Sequence, residues 1–240
     1  MKNFKRWLAG ALCLSVGSVS LVSCIKDTPM QLQAVGDVIV QDMKTDAGIK
    51  YGLIVYVTAN FDIQSGKVTG PGTPGKVYQL TATSDKGQFI YYMPAAEYTS
   101  TMPAKGEYTM EITATTGETL YGKDAVGDEK LTPIIIKTTS FDSHILKTTW
   151  DKVTGADAYI VRLYPENKEK VIFSSTYIST DAATFEFSAT SSGWATGVTP
   201  VPNTNYVVEL VAVKAETGVT VDKGNNLQFA TVDSKIIKWE

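Results

Sequence analysis

The feature that most constrains the fold is a strict two-residue alternation. Tyr108-x-Met110-x-Ile112-x-Ala114 and Tyr206-x-Val208-x-Leu210-x-Ala212 each put four core-type side chains on one face of an extended strand. No segment sustains the 3.6-residue stripe of an amphipathic helix, so the apolar faces must be buried sheet against sheet. In the N-terminal half the pattern predicts strands over Val38 to Val40, Leu53 to Phe61, Val77 to Thr83, Gln88 to Tyr92, Tyr108 to Thr115 and Thr119 to Tyr121. Asp85-Lys86-Gly87 and Thr116-Gly117 supply tight turns. The segment Gly66 to Gly75 holds four Gly and two Pro and reads as a loop. The polar stretch Lys123 to Lys130 reads as a linker, after which Pro133 opens a second series. That series comprises Ile134 to Thr138, Ile145 to Trp150, Ala158 to Tyr164, Val171 to Thr176, Thr184 to Phe187, Tyr206 to Val213 and Gln228 to Val232.

The second series resembles a fibronectin type III domain. Leu146-x-Thr148-x-Trp150 is similar to the family's second strand with its core Trp, although Thr148 stands where an aliphatic residue is usual. Tyr159-x-Val161-x-Leu163 is similar to the third strand, entered from the turn Gly155-Ala156-Asp157. Pro202 to Ala212 resembles the approach to the sixth strand, whose Tyr206 the resemblance implies hydrogen-bonds back to the chain as a corner. Ser188 to Val201 makes a longer approach than the family needs. Pro103-Ala104-Lys105-Gly106-Glu107-Tyr108 echoes the same corner in the first half, which has no counterpart of Trp150 and is read as an immunoglobulin-like sandwich. The expected fold class is therefore all-β, with two tandem immunoglobulin-like or type III-like sandwiches over residues 35–130 and 131–233 and a tail over 234–240. Trp150, Tyr159, Tyr206 and Tyr108 are the expected structural residues.

The N-terminus gives an address. Lys2, Lys5 and Arg6 precede an uncharged apolar stretch from Trp7 to Val22, diluted by Gly and Ser. That is a signal h-region rather than a permanent span, which needs about 20 predominantly apolar residues. The stretch closes on Leu21-Val22-Ser23-Cys24, which resembles the lipobox of bacterial lipoproteins. The resemblance implies cleavage after residue 23, lipidation of Cys24, and a tether over residues 24–34. At about 0.8 kcal/mol per buried methylene, two or more acyl chains would hold the protein to a membrane. Lys26-Asp27 after the anchor is similar to Bacteroidetes-type lipoproteins of the outer membrane, some displayed on its outer face.

Cysteine use then narrows the chemistry. Cys13 leaves with the signal and Cys24 becomes the anchor, so the exported region has neither disulfide nor free thiol. It carries 19 basic and 25 acidic residues with no basic stripe, which argues against nucleic-acid partners. Its one histidine, His144, lies in a predicted turn with no Gly-x-Ser-x-Gly elbow near it, so neither a serine-hydrolase relay nor a zinc site is expected. The Gly-rich segment lacks the ending of a phosphate loop. No cofactor and no enzymatic activity are expected. The one metal to weigh is calcium, through Asp124, Asp128 and Glu129 in the linker, although their spacing matches no EF-hand.

What remains is aromatic surface. Alternation sends Tyr91 and Tyr92 to opposite faces, Trp194 lies in the loop Ser191 to Gly197, and Trp239 lies beyond the last strand. These four are the candidate contacts with a glycan or protein partner, with Trp194 the leading one. Trp194 has a competing reading as a hydrophobic plug closing the sandwich end. The expected function is a lipid-anchored, non-catalytic binding or adhesion module. The alternative is an accessory subunit of an uptake or appendage assembly in the outer membrane.

Overall fold

The alternating segments become strands in a computed structural model that describes residues 30–83, 86–221 and 226–240. The signal segment, Cys24, most of the tether and Asp85 lie outside the described residues. From Leu32 to Glu240 the chain forms one compact unit built of strands, with a turn of 3-10 helix at Ala95–Glu97. Among the described residues no helix is long and apolar enough to cross a membrane.

The first half contributes β1 (Ala34–Thr45), β2 (Gly48–Ala59), β3 (Ile63–Gly72), β4 (Gly75–Gln79), β5 (Thr81–Ala82), β6 (Gln88–Tyr92), β7 (Gly106–Ala114) and β8 (Thr119–Val126). The second contributes β9 (Ile136–Asp142), β10 (Ile145–Trp150), β11 (Ala158–Pro165), β12 (Phe173–Ser174), β13 (Thr184–Phe187), β14 (Asn205–Ala215) and β15 (Leu227–Lys238). A four-stranded sheet β4-β3-β7-β8 and a three-stranded sheet β13-β10-β9 are packed over one eight-stranded sheet, β12-β11-β14-β15-β1-β2-β6-β5. In the second half, the first, second and fifth strands thus face the third, fourth, sixth and seventh, an immunoglobulin-type sandwich order. The all-β, two-sandwich expectation describes this chain.

The two sandwiches share a sheet, because β1 pairs in parallel with β15, Val40 opposite Phe229 through Met43 opposite Val232. Each strand would otherwise be an open edge of its own sandwich. A single buried cluster then runs from Val38, Leu53 and Tyr108 through Phe229 to Trp150, Tyr159 and Phe187.

Several boundaries move, each for a physical reason. Gly66 to Gly75 is not a loop: β3 runs through it and pairs with β7. A side chain at Gly66 would press on Leu80 and Ile112, and one at Gly70 on the Tyr108 ring, so these glycines permit close approach inside a strand. The expected linker is not a linker at its start, because β8 extends to Val126 and carries Asp124. The tether ends earlier than residue 34, since Leu32 is buried and its N–H donates to Glu118 Oε2 at 3.1 Å. The 234–240 tail is also displaced: β15 continues to Lys238 against β14, and Trp239 is 2% exposed. Its N–H donates to the Thr204 carbonyl, and its own carbonyl accepts from Asn203 N–H.

The four structural residues sit where the alternation puts them. Trp150 and Tyr159 meet edge to face, ring centroids 5.3 Å apart, between the sheets. Tyr159 Oη accepts from Val153 N–H at 2.8 Å. The Tyr108 hydroxyl donates to the Ala104 carbonyl at 2.9 Å, and Tyr206 Oη accepts from Val201 N–H at 2.8 Å. Each half therefore closes its penultimate long strand with a tyrosine tied to the preceding loop.

Candidate functional site

The sequence-selected aromatics separate into packing residues and one exposed ring. Trp194 is half-buried at the loop end of the second sandwich, edge-on to Phe173 at 5.1 Å and to Trp239 at 5.6 Å. Its indole Nε1–H donates to the Ser188 carbonyl of its own loop at 3.0 Å. With its polar tip satisfied internally, it closes the Phe173–Phe187–Trp239 stack, which is the plug geometry. Trp239 is enclosed by Phe141, Phe187, Trp194 and Tyr206 and offers no free face to a ligand. Tyr91 turns inward against Tyr78, centroids 5.3 Å apart. Tyr92 is the exposed one, at 61%.

Tyr92 stands on the outer face of the eight-stranded sheet, opposite Ile54 in the register. The floor of that face is a second apolar cluster including Ile39, Ile160, Val211 and Val213, with Tyr56 and Tyr177 packed against it. Within the apolar alternation of β11 and β14 sit Arg162, Tyr164 and Glu209, all on this face. The Tyr164 hydroxyl donates to Glu209 Oε1 at 3.1 Å, and an Arg162 guanidinium nitrogen lies 3.6 Å from the same oxygen. Although the Tyr92 ring is exposed, desolvation where its hydroxyl meets the sheet pushes that group above its usual range; the Arg162 charge opposes this and the Glu209 charge adds to it. Tyr98 lies over Gly52 on the same face, where a side chain on Gly52 would strike its ring, and burial pushes its hydroxyl up to about 12. The result is a tyrosine-rich surface on which Arg162 and Glu209 lie side by side. Sequence reasoning found Tyr92 but missed its neighbours. Arg162 and Glu209 are legible as outward positions, yet nothing in the chain order says that β6 and β11 belong to one sheet.

A separate open groove of about 470 Å³ lies beside the second sandwich, lined by Glu166, Asn167, Thr204, Asn205 and Tyr206. Its polar groups already face one another, Asn205 Nδ2 lying 3.4 Å from both oxygens of Glu166.

The three calcium candidates do not converge. Asp128 pairs with Lys105, Glu129 is exposed, and Asp124 turns the other way, toward Asp37 and Glu216. His144 is exposed in the β9–β10 turn, where it and Ser143 both have positive φ, as a two-residue type I′ hairpin requires.

No family model matches the chain, and no curated protein matches it. Solved structures do. A two-domain fibronectin type III segment from chicken tenascin is 16% identical, with 86% of this chain and 99% of that one covered and a TM-score of 0.29. A DUF3823 family protein from Bacteroides uniformis is 11% identical, with 85% and 100% covered and a TM-score of 0.30. A tetra-tandem repeat in the extending region of a large adhesion protein is 13% identical, with 86% and 50% covered and a TM-score of 0.25. The sandwich assignment itself rests on the strand pairing described above.

Proposed function

We propose that this chain is an exported lipoprotein, anchored to the outer membrane through Cys24, that binds a glycan without catalysis on the outer face of its large sheet. The carrying observation is the exposed Tyr92 ring within electrostatic reach of the Arg162–Glu209 pair. A sugar ring presents an apolar face that stacks on an aromatic and a rim of hydroxyls that needs both donors and acceptors. Arg162 supplies donors, Glu209 acceptors, and Tyr164 either, on a floor of β-sheet that holds them rigidly. The address rests on Lys2, Lys5 and Arg6, the apolar stretch and Leu21-Val22-Ser23-Cys24.

The test is a glycan array probed with the detergent-solubilised full chain. Saturable capture of a glycan, weakened at least tenfold by Tyr92→Ala with the melting temperature unchanged, supports the reading. Tenfold corresponds to about 1.4 kcal/mol. No capture by the wild type, or capture indifferent to Tyr92→Ala and Arg162→Ala, overturns it. Co-purification of a stoichiometric envelope protein through this face would favour the accessory-subunit alternative instead.

A further inference from the structure

The seam between the two halves carries a group that the glycan reading does not use. β1 pairs with β15 only from Val40 onward, so the preceding residues of β1 diverge from the start of β15. Into that fork three carboxylates converge, from β1 (Asp37), β8 (Asp124) and the turn after β14 (Glu216). One oxygen from each lies within 4.8 Å of the others.

Asp37 is 2% exposed. Its Oδ2 accepts from Leu227 N–H at 2.8 Å and from the Tyr56 hydroxyl at 3.1 Å, which fixes the carboxylate in place. Its Oδ1 is buried and accepts nothing from any described residue. Asp124 is fixed too, accepting from Val38 N–H through Oδ2 at 2.6 Å and from Ala125 N–H through Oδ1 at 2.7 Å. At the same end of β15, Gln228 Oε1 is a second buried oxygen with no donor among the described residues. No lysine or arginine among the described residues forms an ion pair with any of the three acids.

Three carboxylates this close repel one another, and one is shut away from water with an orphaned oxygen. A cation relieves both. The donors are all hard oxygens, with neither His nor Cys, which selects calcium or magnesium over zinc. Calcium takes several protein carboxylates directly, at about 2.4 Å and in flexible geometry, whereas magnesium keeps most of its waters and is held by one or two carboxylates. We propose that Asp37, Asp124 and Glu216 form a calcium site that pins the fork where the two sandwiches join.

The test uses the full chain in detergent, stripped with EDTA and titrated with CaCl2 or MgCl2 to about 5 mM, above the roughly 0.1–1 mM dissociation constants of weak extracellular sites. One calcium per chain is expected to bind saturably, to raise the melting temperature by a few degrees at the roughly five- to fiftyfold excess over Kd that this titration reaches, and to be preferred over magnesium. Glu216→Gln, at a turn where folding should survive, should weaken binding at least tenfold, while Asp128→Asn and Glu129→Gln leave it unchanged. Absence of saturable calcium binding by the wild type overturns the proposal without needing any variant. So does wild-type affinity in Glu216→Gln and Asp124→Asn. So does Asp37→Asn stabilising a protein that calcium does not affect, which would mean that a proton, not a metal, holds the acids together.

Discussion

Asp42 offers a direct measure of the polar strain in the shared sheet. It sits on β1 opposite Thr231 of β15, inside the four-residue parallel register that fuses the halves, and is 1% exposed. The neighbouring Thr231 hydroxyl and Val232 N–H favour its charged form, while Oδ1 has no partner among the described residues. Burial outweighs that influence and pushes its pKa from 3.8 up to about 6. Below pH 4 the group is neutral in both folded and unfolded chains and costs nothing as a charge. Between pH 4 and 6 the unfolded chain releases the proton and the folded chain retains it, so stability falls as pH rises, by about 1.4 kcal/mol per pH unit. Above the folded pKa the loss levels off at about 3 kcal/mol. Asp42→Asn is neutral at every pH, so its stability relative to the wild type should rise by about 3 kcal/mol from pH 4 to pH 7.5. Urea or thermal melts of both proteins at four pH values, at fixed ionic strength, give that difference free of every other titrating group that the two share. A difference that stays flat with pH, or runs in the opposite direction, refutes the assignment of Asp42 as a buried acid without a cationic partner.

Four further outcomes are expected. Thr148→Val should stabilise by about 1–2 kcal/mol in urea melts, because Thr148 is fully buried and its Oγ1 has no partner among the described residues; destabilisation would show a hidden bond. Trp150→Ala should cost about 3–5 kcal/mol by the same assay, since the ring fills the space between the sheets against Tyr159; an unchanged midpoint would contradict that packing. Gly70→Val should lower the melting temperature by several degrees, because its side chain would crowd the Tyr108 ring 3.0 Å from the Cβ position; retained stability would mean that β3 is not held where described. Cys24→Ala should abolish carbonate-resistant membrane attachment, and persistence of that attachment would sink the lipoprotein reading.

Local chemistry was legible in the sequence and long-range pairing was not. The strands from Gln88, Ile145, Ala158 and Thr184 begin where alternation places them, because each has one buried face and one wet face. Gly66 and Gly70 misled because a glycine-rich run has the same composition whether it is a turn or a strand pressed against Tyr108. Trp194 was ambiguous for a related reason: a loop Trp flanked by small residues fits both a contact and a plug until Ser188 is seen to take its N–H and Phe173 its ring. The candidate face around Tyr92 and the acids at the fork draw on strands more than 60 residues apart in sequence, where periodicity carries no information.

Asp37 and Asp42 bury carboxylates in a strand whose core-facing and outer positions include Val38, Ile39 and Val40, and the fused sheet explains why β1 cannot be purely apolar. A parallel strand pair joining two sandwiches meets the β-sheet ladder on one side only for as long as the strands stay together. Where they diverge, backbone N–H groups lose their sheet partners and must find others. Carboxylates supply them: Asp37 takes Leu227 N–H, Asp124 takes Val38 N–H, and Asp233 takes Ile136 N–H at 2.7 Å. Asp37 and Asp124 come from the first half and Asp233 from the second, and two of these three bonds reach strands that are not their sheet neighbours. The Asp37–Leu227 bond crosses the junction and ties one sandwich to the other more specifically than apolar contact alone would, while the Asp124–Val38 and Asp233–Ile136 bonds each tie sheet to sheet within one half. A face assembled from β6 of one half and β11 and β14 of the other needs that fixed orientation to present Tyr92, Arg162 and Glu209 together.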